Sequence, residues 1–468
     1  MHVDLIVRAI PRMGSKPVSI AMTAALLAGA NLAVWFPGES GPDSDSQYAQ
    51  SIAGQFDDWH PPIMAWVWSM FRPLAKGDGP MFCFQVVCYW FGFGVIAIAL
   101  AQAGRSLAAW AMLGVALFPS MLTLNGVLLK DVGMGVTFLA AVGALFWWRI
   151  QDREVPGAIA AISLVLLIYG ALVRANGVFA VVPLFVYMIR PQWLSHPWRL
   201  LAISIPFSLA MVPAANLFNY RVLHAEALRP IRSLQIFDLA GIAFYSGDIA
   251  VLGSGKPFSS EEVRRCYTPV GWDNLAPWGE CRLFWNRLAV SPDLHGIAEN
   301  LDARAVLGAK PNPDLSHLWI AAIVRHPVAY ATHRLANFSS EIGRGASMGT
   351  TDPAPPRPLW VVLYDLITAS ALWLAIGLGL LIQLACARSV RRNASIDAAL
   401  ALLLSGLTYA SAYLIIGVGT ELRYLFWSLI AIFTALVISS SEIKIPPERT
   451  SWARRSVSQC TKLLLRPR

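Results

Sequence analysis

Charge is what this sequence has least of. Only 14% of its 468 residues are Asp, Glu, Lys or Arg, while 56% are apolar and the mean hydropathy is +0.53. Soluble domains carry roughly a quarter charged residues, so the deficit disfavours an ordinary soluble enzyme and points to a surface that largely faces lipid. The apolar content also excludes intrinsic disorder. Cysteine is sparse, with 6 in the chain and no CxxC spacing, which excludes a disulfide-stapled miniprotein and gives no metal signature. No internal repeat, collagen period or low-complexity segment is present. The net charge of +9 does not imply a nucleic-acid partner, because the basic residues fall in short clusters between apolar runs. That is the pattern of cytoplasmic loops beside an anionic leaflet.

What the chain does have is long uncharged runs. A bilayer core takes about 20 apolar residues per helix. Ten runs approach that length: 17–35, 82–101, 107–127, 132–148, 156–173, 177–189, 200–218, 359–385, 396–418 and 425–439. The expected fold is an all-α integral membrane protein of about ten transmembrane helices. Arg8, Arg12 and Lys16 precede the first run and Ala28-Gly29-Ala30 offers a cleavage site, so a signal peptide is one reading. An uncleaved anchor is favoured, because the run continues to Phe36.

Orientation follows from Lys and Arg in the short loops. Arg105, Arg149, Arg153, Arg190, Arg199, Arg388, Arg391 and Arg392 fall on one side, with the tail residues Lys444, Arg449, Arg454, Arg455, Lys462, Arg466 and Arg468. That side is read as cytoplasmic, with both termini inside and a bacterial inner membrane as the location. The expected organisation is a transmembrane module at 1–218 with its first outer loop at 36–80, a small, mainly helical extracytoplasmic domain at 219–358, transmembrane helices at 359–440 and a basic cytoplasmic tail at 441–468. Within the outer domain, 325–343 reads as an amphipathic helix along the membrane surface. Cys266 and Cys281 both lie there, where an oxidising compartment would allow them to pair or leave them as thiols.

The first outer loop reads Pro42-Asp43-Ser44-Asp45-Ser46-Gln47-Tyr48, then Phe56-Asp57-Asp58-Trp59-His60-Pro61-Pro62, and leads into a short helix at 63–71 whose Trp66 and Trp68 suit the headgroup level. Its four carboxylates and histidine have no Lys or Arg between them. They could be a solvated loop in which Asp43 caps a helix, or an acidic site that activates a hydroxyl. Charges elsewhere on the same side favour the second reading. Lys130-Asp131 interrupts a long apolar stretch, although a charge at depth costs at least ~2.5 kcal/mol without a partner or cavity. Arg174 stands in a three-residue turn, and Glu421-Leu422-Arg423-Tyr424 fills the last outer turn. Lys130, Arg174 and Arg423 would bind a donor phosphate and stabilise it as it leaves, while one of the loop carboxylates deprotonates an acceptor hydroxyl. His60, Tyr424, Asp131 and Glu421 would orient these groups. Those roles describe sugar transfer from a lipid phosphate, and a single displacement inverts the anomeric carbon.

Together, the acidic first loop with its Asp-Trp-His-Pro-Pro continuation, the Lys-Asp turn, the Arg-x-Asn turn and the Glu-Leu-Arg-Tyr turn resemble the polytopic GT-C glycosyltransferases, which include protein mannosyltransferases and the aminoarabinose transferases of lipid A. The motifs run from Asp43 to Tyr424, most of the chain. The resemblance implies a polyprenyl-phosphate sugar donor, an active site on the outer face, and a lipid, glycan or protein acceptor. It also implies that the first-loop acid is the base and that His60 belongs to the His-Pro-Pro element. The sequence departs from the commonest Asp-Glu form by reading Asp-Ser-Asp-Ser, which leaves Asp43 and Asp45 as alternatives, Asp43 favoured. The Asp-x-Asp spacing would also let Asp43 and Asp45 hold a divalent cation, but no cofactor is required, since the basic residues can neutralise one phosphate. Two other readings stay open: a transporter or flippase of a lipid-linked glycan, and an oligosaccharide ligase with a pyrophosphate-linked donor.

Overall fold

The computed structural model describes residues 15–253, 258–294, 298, 301–343, 369–388 and 393–442. Arg8, Arg12, Arg391, Arg392, the tail cations from Lys444 to Arg468 and the first part of the eighth apolar run lie outside them. Among the described residues every named regular element is a helix. In chain order the principal ones are Ser15–Trp35 (α1), Pro42–Ala53 (α2), Ile63–Phe71 (α3), Gly79–Gln102 (α4), Ser106–Ala116 (α5), Pro119–Asn125 (α6), Lys130–Arg149 (α7), Gly157–Val173 (α8), Gly177–Ile189 (α9), Pro197–Leu217 (α10), Ile231–Ser246 (α11), Leu315–Arg325 (α12), Pro327–Ile342 (α13), Ser370–Arg388 (α14), Ala394–Ile416 (α15) and Phe426–Ser440 (α16).

Six helical segments among the described residues are long and apolar enough to cross a membrane: Lys16–Trp35, Gly79–Gln102, Lys130–Arg149, Trp198–Val222, Ala394–Ile416 and Leu422–Ser440. The run expected at 107–127 is instead two helices, α5 and α6, bent by 57°. Pro119 lacks an amide donor and holds Phe118 extended, so the first helix cannot continue through it. Gly157–Val173, Gly177–Ile189 and Ser370–Cys386 are apolar but shorter. Helix α7 is buried along nearly its whole length, packed between α4, α8 and α16. It approaches α4 closely: a Cβ at Gly92 would come within 2.6 Å of Leu139, and one at Gly143 within 3.0 Å of the Gly92 carbonyl oxygen. Small residues let two apolar helices gain packing contacts where lipid supplies no hydrophobic drive.

Much of the loop expected over 36–80 is helical. Pro42 opens α2, Asp43 and Asp45 occupy its first turn near the positive end of the helix dipole, and Gly54 closes it in the left-handed conformation at φ 65°. Asp43 is therefore not the cap; Gly41 holds that position without a side-chain bond. Trp68 differs from its expected headgroup placement. It is buried, tilts against Tyr48 and donates its indole N–H to the Gly77 carbonyl at 3.3 Å.

A second apolar core lies in 231–330, apart from that of the helical bundle. Cys266 and Cys281 are joined there by a disulfide. The helix expected over 325–343 is present as α13, which starts at Pro327, and a break at His326 separates it from α12. Helix α13 buries polar residues, among them His333, Arg334 and Asn337, while Val328 and Leu335 are exposed. Asp238 of α11 explains this inversion. It accepts the Trp319 indole N–H at 2.7 Å, faces His333 Nε2 at 3.1 Å and pairs with Arg334. Arg334 in turn donates to the Gly417 carbonyl at the end of α15 at 2.6 Å, tying the second core to the bundle.

The starts of α7 and α16 and the ends of α8 and α15 share one end of the bundle. Arg105 pairs with Glu442 at 2.6 Å and donates to Ser395, and Arg149 donates to the Tyr187 and Met188 carbonyls, at the opposite end. Cysteines placed at the exposed positions Asp45 and Ala175 should react with a membrane-impermeant maleimide from the same side of sealed vesicles, and one at the exposed Ala103 from the other. Labelling of Asp45→Cys and Ala175→Cys from opposite sides would refute this sidedness.

Candidate functional site

Asp43 is the centre of the site, and three helix ends and a loop converge on it. Its Oδ2 accepts from Lys130 Nζ at 2.8 Å and from Arg423 Nη1 at 3.2 Å. Lys130 is the first residue of α7, after an extended Leu129, and Arg423 lies in the turn that opens α16. His60 completes the group: its Nε2 is 3.4 Å from Asp43 Oδ1 and its Nδ1 is 2.8 Å from Lys130 Nζ. Because an ammonium can only donate, Nδ1 must accept, and the neutral Nε2–H tautomer then faces the carboxylate.

The electrostatics follow from these contacts. Burial works to raise the Asp43 carboxyl, but the His60 hydrogen bond and the Lys130 ammonium outweigh it and hold the group far below the usual carboxylate range. For His60, burial and the Lys130 charge lower the pKa, and together they outweigh the pull of Asp43. The imidazole is held neutral.

Beside this cluster lies a second ion pair. Asp131 Oδ1 meets Arg174 Nη1 at 2.6 Å, with Asp131 only 1% exposed. Arg174 also donates to Asn176 Oδ1 at 3.2 Å and the Tyr413 hydroxyl at 2.9 Å, and lies 4.8 Å over the Tyr424 ring. Tyr424 stacks on Tyr413 at 5.5 Å. Glu421 binds the far edge of Arg423, 2.6 Å from Nε and 3.0 Å from Nη2. Lys130, Arg174 and Arg423 therefore face Asp43, Asp131 and Glu421, and the site is close to neutral.

Of the residues singled out from the sequence, Asp45 stands apart. It is exposed, two positions from Asp43 and so about 200° round the helix. The two aspartates do not converge as a joint ligand set. Among the described residues, no group of three His, Cys, Asp or Glu is placed to hold a metal ion. The other two first-loop carboxylates are structural. Asp57 pairs with Arg304 at 2.9 Å, and Asp58 accepts from the Tyr220 hydroxyl at 2.6 Å and from the Leu228 and Arg229 amides at 2.5 and 3.1 Å. They splice the first loop to the second core.

No protein-family model matches this chain, and neither a curated protein nor a solved structure does.

Three contributors escaped the sequence reading. Tyr409 and Tyr413, four residues apart on one face of α15, link hydroxyls at 3.1 Å; a pair of phenols at one end of an apolar run was the available signal. The third, Asp273, belongs to the second core. The Trp272 amide donates to the Val418 carbonyl at 2.9 Å and Thr420 donates to the Val270 carbonyl at 2.8 Å, which brings Asp273 up to the turn carrying Glu421. Partial desolvation of its still exposed carboxyl, with Glu421 and Asp43 nearby, raises the Asp273 pKa. A lone carboxylate in a polar stretch gave no warning of this.

Two outcomes are expected. Arg174→Met leaves Asp131 buried without its partner and should destabilise the protein by about 3–5 kcal/mol, whereas adding Asp131→Asn should restore much of the loss, measured by thermal unfolding in detergent. Free histidines titrate near 6.5, while His60 and His333 stay neutral in the fold, each depressed first by burial. Below that pH the unfolded chain binds more protons than the folded one, so stability is greatest above it and falls as the pH is lowered. His60→Gln should flatten part of the decline between about pH 7 and about pH 5.

Proposed function

We propose that this protein is an inverting membrane glycosyltransferase of the GT-C type, which moves a sugar from a polyprenyl-phosphate donor to a lipid, glycan or protein acceptor on the extracytoplasmic face. The reading includes ten membrane crossings, the bent α5–α6 pair and the shorter α8, α9 and α14 among them, both termini in the cytoplasm of a bacterial cell, and an extracytoplasmic domain around the second apolar core. The observation that carries it is the Asp43 carboxylate held between Lys130 and Arg423 at one end of the helical bundle.

A carboxylate so strongly held is a weak base. The same cations, however, are the natural ligands of a phosphate, Lys130 as a point charge and Arg423 through the Nη1 that otherwise holds Asp43. Donor binding would exchange one anion for another: phosphate takes Lys130 and Arg423, and Asp43, released from them, regains basicity. It then removes the acceptor proton as that oxygen attacks the anomeric carbon. The bond to phosphate breaks on the opposite side, and the leaving phosphate's charge is met by Lys130 and Arg423. His60 steers Asp43, while Arg174 and Asp131 hold the floor of the site and Tyr424 and Glu421 fix the two arginines. A transporter would place its ionisable groups near the bilayer midplane, where helices are interrupted. Here they gather at helix ends, which favours the transferase.

The test uses purified protein with a labelled polyprenyl-phosphate sugar. Asp43→Asn should lower transfer about 10²- to 10⁴-fold. Lys130→Met should lower it about 10²- to 10³-fold. Asp45→Asn should retain most activity. Full activity in Asp43→Asn would discard the assigned base, and translocation of label without covalent change would replace the transferase with a flippase.

A further inference from the structure

A disulfide closes the segment between Cys266 and Cys281, and the segment's interior carries an aromatic and acidic surface beside the site. Trp272 and Trp278 stand in it, edge to face at 5.4 Å, and both pack on Trp59, which immediately precedes His60, at 5.9 and 5.8 Å. Trp285 backs the group 6.0 Å from Trp59. Trp272 and Trp285 are buried and Trp59 is partly buried, but Trp278 keeps 51% of its surface exposed. Asp273 and Glu280, also exposed, lie in the same closed segment, and no Lys or Arg falls between the two cysteines.

The segment is locked to the site. Asn274 donates to the Cys266 carbonyl at 3.0 Å and its own carbonyl accepts from the Cys281 amide at 2.9 Å. The bonds from Trp272 to Val418 and from Thr420 to Val270 then fasten it to the residues that lead into Glu421 and Arg423. The approach is close enough that a Cβ on Gly271 would lie 3.3 Å from Gly419 Cα. A half-exposed indole is a broad, rigid apolar face, and carboxylates are acceptors only. Together they suit a ligand with an apolar face and hydroxyl donors at its edge, and repel a phosphate-bearing lipid headgroup.

We infer that the disulfide-closed segment is the acceptor subsite and that its ligand is a saccharide, with a sugar ring lying on Trp278 and its hydroxyls donating to Asp273 and Glu280. The inference rests on the transferase reading for the word acceptor, and narrows that acceptor to a glycan or a glycan-bearing lipid. Sugar binding itself is testable apart from transfer.

The experiment titrates full-length protein in detergent with methyl hexosides and a neutral hexose disaccharide by saturation-transfer NMR, and separately with labelled polyprenyl phosphate. At least one sugar should bind the unsubstituted protein. Trp278→Ala should weaken that binding at least tenfold and Asp273→Asn several-fold, while Trp278→Phe keeps it within about threefold and polyprenyl-phosphate binding stays within twofold in Trp278→Ala. Equal sugar affinity in Trp278→Ala and unsubstituted protein overturns the proposal, as does failure of every sugar to bind. In bilayers, quenching by brominated lipid of emission that Trp278→Phe removes would assign the ring to the membrane instead, and also overturn it. Sugar binding that depends on Trp278, in a protein that ignores polyprenyl phosphate, would uphold the saccharide subsite and refute the donor assignment.

Discussion

The structure turns on one carboxylate. Asp43 is held by a lysine 87 residues further on and an arginine 380 residues further on, with a neutral histidine between carboxylate and lysine. At the end of an apolar bundle none of these charges is affordable alone, since water is scarce there and an unpaired ion shifts its pKa or disrupts its surroundings. The first turn of α2, the first residue of α7 and the turn before α16 must therefore meet at one level. The Ser44 hydroxyl, which bonds to the Leu128 carbonyl, and the Glu39 carbonyl, which accepts from the Leu128 amide at 2.8 Å, fix that meeting through the backbone.

A second buried carboxylate performs the matching task for the second core. Asp238 joins Trp319, His333 and Arg334, and Arg334 reaches the end of α15. Breaking either carboxylate's set of partners would strand cations where solvation is poor. The two networks are coupled through the segment 417–424, which receives Arg334 at Gly417 and delivers Arg423 to Asp43. The position of the second core and the geometry of the ion cluster are thus parts of one arrangement. The tryptophan group around Trp59 stands beside the joint between them.

Much of this was legible in the sequence because membranes punish misplaced charge. Lys130, Arg174 and Arg423 stood out as cations with no reason to lie in short turns between apolar runs, and each has a carboxylate within ion-pair distance. The length of the uncharged runs located helices but not their breaks, so the bend at Pro119 passed unseen within one of them. The acidic first loop was harder to read. Four aspartates look alike as letters, yet Asp57 and Asp58 are consumed by Arg304, Tyr220 and backbone amides. What separates them from Asp43 is tertiary: which partner the chain brings back from far along the sequence. Asp273 was invisible for the same reason, because its surroundings come from the turn at 418–421 and not from its neighbours in sequence.

The two cations on Asp43 are not equivalent, and the difference bears on the proposed reaction. Arg423 is bound on two edges. Its Nε and Nη2 hold Glu421 and its Nη1 holds Asp43, so it can surrender the second while the first keeps it in place. Lys130 has one ammonium shared between Asp43 and His60 and no second carboxylate, so it must follow whichever anion occupies the site. An arriving phosphate would then pivot Lys130 away from Asp43 while Arg423 stays fixed. His60, losing the ammonium that occupies Nδ1, becomes free to turn with the carboxylate. Because the six charges sum to nearly zero beforehand, the incoming negative charge is balanced only if Asp43 leaves or takes a proton. In the proposed reaction basicity and donor occupancy would in that way be a single variable, and an empty site would keep its base quiet.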